Sequence, residues 1–238
     1  MIDKFELKTR ARRIIGNSRP SAFTAALIYI LVIYLFSYLS ASLLNMNVTE
    51  ADLQKAMSLI QSGRIEAASS FMSKFTPSVP NTAVDFLLQL AAVILRAGFI
   101  IFIINTVRRQ EPCFGNLLDG FNIVFRVLLL YILEWIIIAF FAMLFIVPGF
   151  IAFYRYRMAI YLLIDNPDMS VFECLRKSAE MMKGRKRELF SLDMSMLGWL
   201  LLQCFIPLAG IYTEPYTKTV YVLYYQRLAG IVDYLDMA

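Results

Sequence analysis

The sequence of 238 residues contains no histidine and only three cysteines. The lack of histidine excludes every metal site built on imidazole, and it also excludes a serine or cysteine triad that uses imidazole as its base. No glycine-rich phosphate loop occurs. The cysteines (Cys113, Cys174 and Cys204) form no pair placed for a structural disulfide. We therefore expect no metal, no cofactor and no enzymatic activity.

Charged residues are also scarce. They make up 17% of the chain, against about a quarter in soluble domains, while 59% of the residues are hydrophobic and the mean hydropathy is +0.63. The apolar residues fall in six runs: 22–44, 84–107, 127–147, 150–164, 189–211 and 216–232. A bilayer core ~30 Å thick needs about 20 helical residues, which four of these runs supply. The fourth and sixth runs are short or mixed, but each follows a Pro/Gly turn.

This pattern predicts an all-α integral membrane bundle of about six transmembrane helices arranged as three hairpins. Four full spans with two re-entrant or interfacial helices are the alternative. The membrane domain covers residues 1–238, with a cytoplasmic amphipathic helix at 1–19, an extracytoplasmic insertion at 45–81 and a cytoplasmic basic helix at 165–188. Lysines and arginines cluster beside the ends of the spans on one side, so both termini are predicted to be cytoplasmic, with multi-pass insertion in the cell membrane.

Three similar units indicate an internal repeat. In each, a short polar helix that stops at a glycine (Gly16, Gly120 or Gly184) precedes an apolar run. Capping-box patterns begin at Asp3 and at Ser170. We expect each hairpin to be preceded by such a helix, lying in the cytoplasmic interface with its apolar face toward lipid.

The basic residues of these helices are predicted to bind anionic lipid headgroups. They are Lys8, Arg12, Arg13, Lys183, Arg185, Lys186 and Arg187. The net charge of +5 follows from this topology and requires no nucleic acid. The expected partners are therefore membrane lipids and a protein partner.

The insertion at 45–81 contains apolar residues at helical spacing, namely Leu53, Ala56, Met57 and Ile60. This spacing predicts one or two amphipathic helices packed over the outer ends of the spans. The insertion is either a structural lid or a contact for a partner or substrate.

Charged residues within the apolar runs give the best functional lead, because an ionisable group at bilayer depth normally faces protein or water. Glu134 is predicted to form a buried cluster with Arg96 and with one or both of Arg155 and Arg157. The cluster is either an ion pair that sets helix register or a polar site for an anionic group. Asp85 and Asp193 are expected to be solvated or paired locally. The tyrosines of the last run (Tyr212, Tyr216, Tyr221, Tyr224 and Tyr225) are expected to form an interfacial stripe rather than a ligand cage.

Several short motifs resemble those of a known bacterial family. They are Phe145 to Gly149, Asp165-Asn166-Pro167, Met181-Met182-Lys183-Gly184, Leu192-Asp193 and Gly198-Trp199, with Leu7-Lys8 and Ala11 to Asn17 near the start. Together they are similar to a family of multi-pass membrane proteins known only as domain of unknown function nine-seven-five. The resemblance implies a bacterial membrane protein. It implies no particular activity for this chain.

Two functional hypotheses follow. The first is a non-catalytic scaffold or accessory component that binds anionic lipid or a protein partner. The second is a transporter or peptide-export factor, in which the repeated hairpins surround a polar site.

Overall fold

The computed structural model describes residues 4–44, 50–72 and 79–231. These residues form helices and no strand, so the all-α prediction is confirmed for this part of the chain. The α-helices are α1 (Lys4–Gly16), α2 (Ala22–Leu44), α3 (Glu50–Gln61), α4 (Ile65–Met72), α5 (Val79–Arg108), α6 (Val124–Leu144), α7 (Ile146–Tyr156), α8 (Ala159–Asp165), α9 (Val171–Met181), α10 (Lys186–Phe205) and α11 (Gly210–Ala229). Short 3₁₀ helices cover Phe114–Leu117, Asp119–Ile123 and Pro207–Ala209. The capping box predicted at Asp3 begins outside the described residues.

Three of the described segments are long and apolar enough to cross a membrane. They are Ala22–Ser42, Asn81–Arg108 and Asp119–Leu144. The three further predicted spans stay predictions. One of them is divided between α7, of 11 residues, and α8, of 7 residues, with a turn at 157–158.

The chain divides into two compact units, a first unit of Met1–Ile30 with Val93–Ala238 and a second unit of Leu31–Ala92. Helix α11 is the central helix of the first unit. Between Pro215 and Gln226 every residue is buried except Lys218, which is half-buried. Helices α1 and α10 both pack against α11. The interfacial tyrosine stripe is therefore wrong for Tyr216, Tyr221, Tyr224 and Tyr225, because neighbouring helices cover these side chains.

The first turn of α11 lies beside the first turns of α2. The rings of Phe23 and Tyr212 stack with their centroids 6.0 Å apart. A Cβ atom added to Gly210 would lie 3.0 Å from Cδ1 of Ile30. Ile30 is eight residues after Ala22, so α11 begins ~12 Å along α2 at about 1.5 Å per residue, while the end of α11, at Arg227, pairs with Glu6 of α1.

Two glycines allow the chain after α5 to fold back closely against α5. A Cβ atom on Gly98 would lie 2.0 Å from the carbonyl oxygen of Leu117, and one on Gly120 would lie 2.3 Å from that of Ile94. Gly120 is thus required for close backbone packing and does not end an α-helix, contrary to the sequence pattern. Of the three predicted stops, Gly184 alone has a left-handed backbone, with φ of +78°.

The second unit contains α3 and α4, which confirms the prediction of helices in the insertion. Helix α3 does not bury the predicted apolar face: Leu53, Met57 and Ile60 are 50%, 59% and 58% exposed. Their expected packing over the spans is wrong, because within this face only the small Ala56 is buried. In the same unit Ser40 donates a hydrogen bond to Asp85, so Asp85 is paired locally.

Candidate functional site

The predicted charge cluster is distributed over three helices of the first unit. Arg96 lies on α5, Glu134 on α6, and Arg155 on α7, with Arg157 directly after α7. Arg155 is exposed, and its guanidinium lies 5.6 Å from the ring centre of its neighbour Tyr156. Arg155 is therefore not part of a buried cluster, so of the two arginines that the sequence offered beside Arg96 only Arg157 is half-buried.

Arg157 is half-buried between two aromatic rings. Its guanidinium carbon lies 4.8 Å from the ring centre of Phe153 and 5.0 Å from that of Tyr221. It also hydrogen-bonds with Tyr221. A guanidinium over an aromatic face is attracted by the ring quadrupole, and more so when water is excluded. These contacts hold Arg157 against α11.

Glu134 has no hydrogen bond or ion pair with the described residues, although Arg157 is close enough to act on it electrostatically. Arg96 makes a side-chain hydrogen bond with Tyr29 and interacts electrostatically with Glu214. The structure therefore brings Glu134 near Arg157, but it pairs Arg96 with residues of α2 and α11.

Asp193 joins three helices through two tyrosines. Its carboxylate accepts hydrogen bonds from the hydroxyls of Tyr154, at 2.9 Å, and Tyr221, at 2.8 Å. Asp193 is thus paired with neighbouring side chains, which is one of the two outcomes that the sequence analysis expects for it. The two tyrosines were not foreseen, since a tyrosine in an apolar run gives no signal of which acid it will meet.

Sequence reasoning also missed a pair of charged residues on α11. Glu214 and Lys218 are four residues apart, which places them on one face of the helix. Lys218 interacts electrostatically with Glu214, Arg96 and Arg157. The depth rule that identified Arg96 and Glu134 would have found Lys218, which lies in the run 216–232, whereas Glu214 lies just before that run.

A short polar chain continues from Glu214 to α10. The hydroxyl of Thr213 donates to the side-chain carbonyl of Gln203 at 2.9 Å, and the Gln203 amide donates to Glu214 at 3.3 Å. Together, Arg96, Glu134, Arg157, Asp193, Glu214 and Lys218 form what we call the polar cluster, with three basic and three acidic side chains. Five of these residues are half-buried and Arg96 is exposed, so the prediction that Arg96 is buried is wrong.

The Asp165-Asn166-Pro167 motif is held by two arginines. Arg108 forms an ion pair of 2.5 Å with Asp165, which also accepts a hydrogen bond of 2.7 Å from the hydroxyl of Tyr225. Arg126 donates to the carbonyl oxygens of Pro167, at 2.5 Å, and Met169. The motif therefore anchors the turn between α8 and α9 to α5, α6 and α11.

The predicted headgroup-binding residues have different surroundings. Lys8 donates to the carbonyl oxygen of Ser195 at 2.8 Å, and the guanidinium of Arg12 lies 5.8 Å from the ring centre of Tyr216. Burial lowers the pKa of Lys8, and the nearby charges of Arg12 and Lys4 lower it further. Arg13 is exposed and lines a cavity described below. Around the turn after α9, Lys186 is half-buried and the other three are exposed, namely Lys183, Arg185 and Arg187.

Within residues 4–44, 50–72 and 79–231, no group of three or more His, Cys, Asp or Glu side chains is placed to hold a metal ion.

Residues 134–231 match the family described as protein of unknown function (DUF975). The resemblance drawn from the motifs is confirmed over this segment. No curated protein and no solved structure matches the chain.

The matched segment contains much of the polar chemistry described above. It includes Glu134, Arg155, Arg157, Asp193 and Lys218, together with the Asp165-Asn166-Pro167 motif. Arg96 and the basic residues of α1 lie outside it. The motif's partners Arg108 and Arg126 also lie outside it, so the anchoring contacts connect the matched segment to the rest of the first unit.

Proposed function

We propose that this chain is a multi-pass protein of the cell membrane without catalytic activity of its own. It acts as a scaffold or accessory component whose basic cytoplasmic residues bind anionic lipid or a protein partner. The surface of α6 supports a membrane location, because only 11% of the most apolar stretch of 18 residues within Asp119–Leu144 is buried. Its exposed side chains include Phe125, Trp135 and Met143, which are 85%, 74% and 90% exposed. A continuous apolar surface of this kind requires lipid or a partner to cover it.

For the topology, we propose cytoplasmic termini, with the basic clusters inside. The sequence predicts six spans in three hairpins and leaves a re-entrant arrangement open. The approach of Gly210 to Ile30 favours the re-entrant arrangement for α11. If α2 begins at the cytoplasmic face, α11 begins ~12 Å along α2 from that face, short of the ~30 Å that separates it from the opposite face.

Thiol labelling tests this topology. In a variant whose three native cysteines are replaced by alanine, Leu208→Cys and Ser62→Cys are each treated with a membrane-impermeant maleimide on intact cells. Ser62 lies in the insertion, which is outside in both arrangements. The re-entrant arrangement predicts labelling of Ser62→Cys only. Equal labelling of Leu208→Cys would favour six full spans, and labelling of neither would contradict the proposed orientation.

The scaffold function rests on how the half-buried charges are neutralised. Asp193 accepts hydrogen bonds from Tyr154 and Tyr221, and Arg157 is enclosed by Phe153 and Tyr221. Charged groups that are satisfied by protein partners hold helices in register and offer no free site to a substrate.

One observation favours transport as a second candidate function. Glu134 has no hydrogen bond or ion pair with the residues that the structure describes, while three cations (Arg96, Arg157 and Lys218) belong to the same cluster. A polar site between hairpins with an unpaired carboxylate and converging cations could bind the anionic group of a transported solute or peptide.

Replacing Glu134 by Gln separates the two functions. The variant is purified in detergent to measure its yield and thermal midpoint, and it is expressed in cells to measure their tolerance of toxic peptides and organic anions. Arg155→Gln, at an exposed position, is the matched control. The scaffold function predicts unchanged tolerance at equal protein level for both variants. A well-folded Glu134→Gln protein that alters tolerance, when Arg155→Gln does not, would establish transport instead.

A further inference from the structure

A cavity of about 870 Å³ lies between α1 and the chain that follows α5. Its volume is in the range of sites that hold small molecules. One wall is formed by α1 and the residues after it, up to Arg19, and the other by Thr106 to Pro112. All of these residues belong to the first unit. The cavity is separate from the polar cluster, since none of the six cluster residues lines it.

The charge of the lining is positive. Four arginines and two glutamates line the cavity, namely Arg10, Arg13, Arg19, Arg109, Glu6 and Glu111. One of the two carboxylates is already engaged, because Glu6 forms an ion pair of 3.1 Å with Arg227. Arginine side chains present planar forks of N–H donors that match the oxygens of a phosphate group. The lining therefore favours an anion with several acceptor oxygens.

The backbone at the edge of the cavity has an uncommon conformation. Arg109 and Glu111 have φ angles of +55° and +41°, in the left-handed region that residues with a Cβ rarely adopt. Both residues line the cavity. Backbone held in this region by its surroundings occurs frequently at ligand sites. Here it turns the chain directly after α5 and keeps the Arg109 side chain beside α1.

Apolar side chains lie among the arginines. Phe5, Ile14, Val107 and Pro112 line the same cavity, and Phe5 is 76% exposed. A cavity with both cationic and apolar walls fits a ligand that joins a phosphate group to an apolar part, as an anionic lipid does.

We propose that this cavity binds a phosphate group, carried by an anionic lipid or supplied as a free phosphate. The inference rests on the proposed lipid-binding function and locates it at Arg13 and Arg109, away from the basic turn after α9. Two arginines of the cavity, Arg13 and Arg109, are exposed and can be changed with little risk to the core.

The test measures binding to the full chain in a neutral detergent by isothermal titration. The ligands are inorganic phosphate and the water-soluble lipid dihexanoyl phosphatidic acid. The cavity variant is Arg13→Gln with Arg109→Gln, and the control variant is Arg176→Gln with Lys177→Gln, which removes the same charge at exposed positions outside the cavity. We expect the wild type and the control to bind equally and the cavity variant to bind on the order of tenfold more weakly or worse. Circular dichroism and gel filtration confirm that each variant is folded.

The two ligands distinguish the sources of the phosphate. Binding of both shows that the phosphate group itself is recognised, whereas binding of the lipid alone shows that its chains are required. The inference is overturned if the wild type binds neither ligand, or if the cavity and control variants are affected equally. In the latter case diffuse lipid binding by the basic surface survives, so the proposed function stands while this site does not. Absence of the protein from the membrane fraction would instead contradict the proposed function. The titration would still test whether the cavity binds phosphate.

Discussion

The hydroxyl of Tyr221 donates a hydrogen bond of 2.8 Å to Asp193 and so joins the central helix α11 to α10. The same tyrosine ring lies 5.0 Å from the guanidinium of Arg157. One side chain thus contacts both an acid and a base in the interior of the first unit. Tyr221 is therefore a structural partner of two half-buried charges, and its removal should have measurable consequences.

Replacing Tyr221 by Phe keeps the ring over Arg157 and removes the hydrogen bonds of the hydroxyl with Asp193 and Arg157. We expect a loss of about 1.5–3 kcal/mol in the free energy of unfolding, since hydrogen bonds to charged groups are in this range. The measurement is unfolding in detergent by titration with SDS. Tyr34→Phe is the control, because Tyr34 is 51% exposed, and it should change stability by less than about 0.5 kcal/mol. Equal effects of the two changes would show that Tyr221 does not stabilise Asp193.

The ion pair of Arg108 with Asp165 should be stronger than that of Arg227 with Glu6. The side chains of the first pair are 22% and 11% exposed, and those of the second are 45% and 50% exposed. A double-mutant cycle with Arg108→Gln and Asp165→Asn should give a coupling energy of about 1–3 kcal/mol. The matched cycle with Arg227→Gln and Glu6→Gln should give less than about 1 kcal/mol, because water screens the exposed pair. Similar coupling in both cycles would contradict the anchoring function given to Arg108.

Gly98 should not tolerate a side chain. In Gly98→Ala the new Cβ would lie 2.0 Å from the carbonyl oxygen of Leu117, so the backbone must move. We expect destabilisation by about 1–3 kcal/mol or more, measured by SDS titration. Gly198→Ala is the control on α10, where a Cβ meets nothing within 4 Å. There alanine should stabilise the helix by about 0.5–1 kcal/mol. Loss of stability in both variants would show that the close approach of Leu117 to α5 is not the cause.

The capping box at the start of α9 should make the stability of this helix pH-dependent. The hydroxyl of Ser170 accepts a hydrogen bond from the Glu173 amide at 3.3 Å, and the Glu173 carboxylate accepts one from the Ser170 amide at 2.8 Å. The hydrogen bonds from the Ser170 amide and then from its hydroxyl hold the pKa of Glu173 below its ordinary value of 4.5. Since the carboxylate is favoured in the folded state, its contribution is complete above pH 4.5 and is lost as the pH falls through the lower folded pKa.

Two substitutions test this capping box. Ser170→Ala removes the cap and should cost about 1 kcal/mol at neutral pH. Glu173→Gln should reduce the loss of stability between neutral and acidic pH, measured as the thermal midpoint in detergent. Glu180→Gln, which removes a carboxylate from the same helix away from the cap, should leave that loss unchanged. If Glu173→Gln and Glu180→Gln follow the same pH curve as the wild type, the cap does not contribute.

The positions of the helices could be predicted well from local patterns. The apolar run 22–44 coincides with α2, and the run 127–147 overlaps α6 at Val124–Leu144. The capping box at Ser170 and Glu173 was predicted and is present. Such features depend on neighbours within a few residues, so the sequence order contains the information that determines them.

The partners of the charged residues could not be predicted in the same way. Depth along a helix predicts that Arg96, Glu134 and Arg157 are interior charges, but it does not determine the rotation of one helix against another, and in the structure Arg96 is exposed. The rotation of α5 about its axis determines whether Arg96 contacts Glu134 or Tyr29. In the structure Arg96 makes a hydrogen bond with Tyr29. Gly120 shows the same limit, since its contact with Ile94 joins residues far apart in the chain.

The amino-acid sequence by itself determined that this chain is helical, where its long apolar helices run and which charges they carry, because helix periodicity and hydropathy are local properties. Only the tertiary structure decided that α11 is central, that tyrosines satisfy Asp193 and Arg157, and that α1 and the chain after α5 enclose a basic cavity. These features depend on which helix faces meet, and packing selects those faces through contacts among residues distant in sequence.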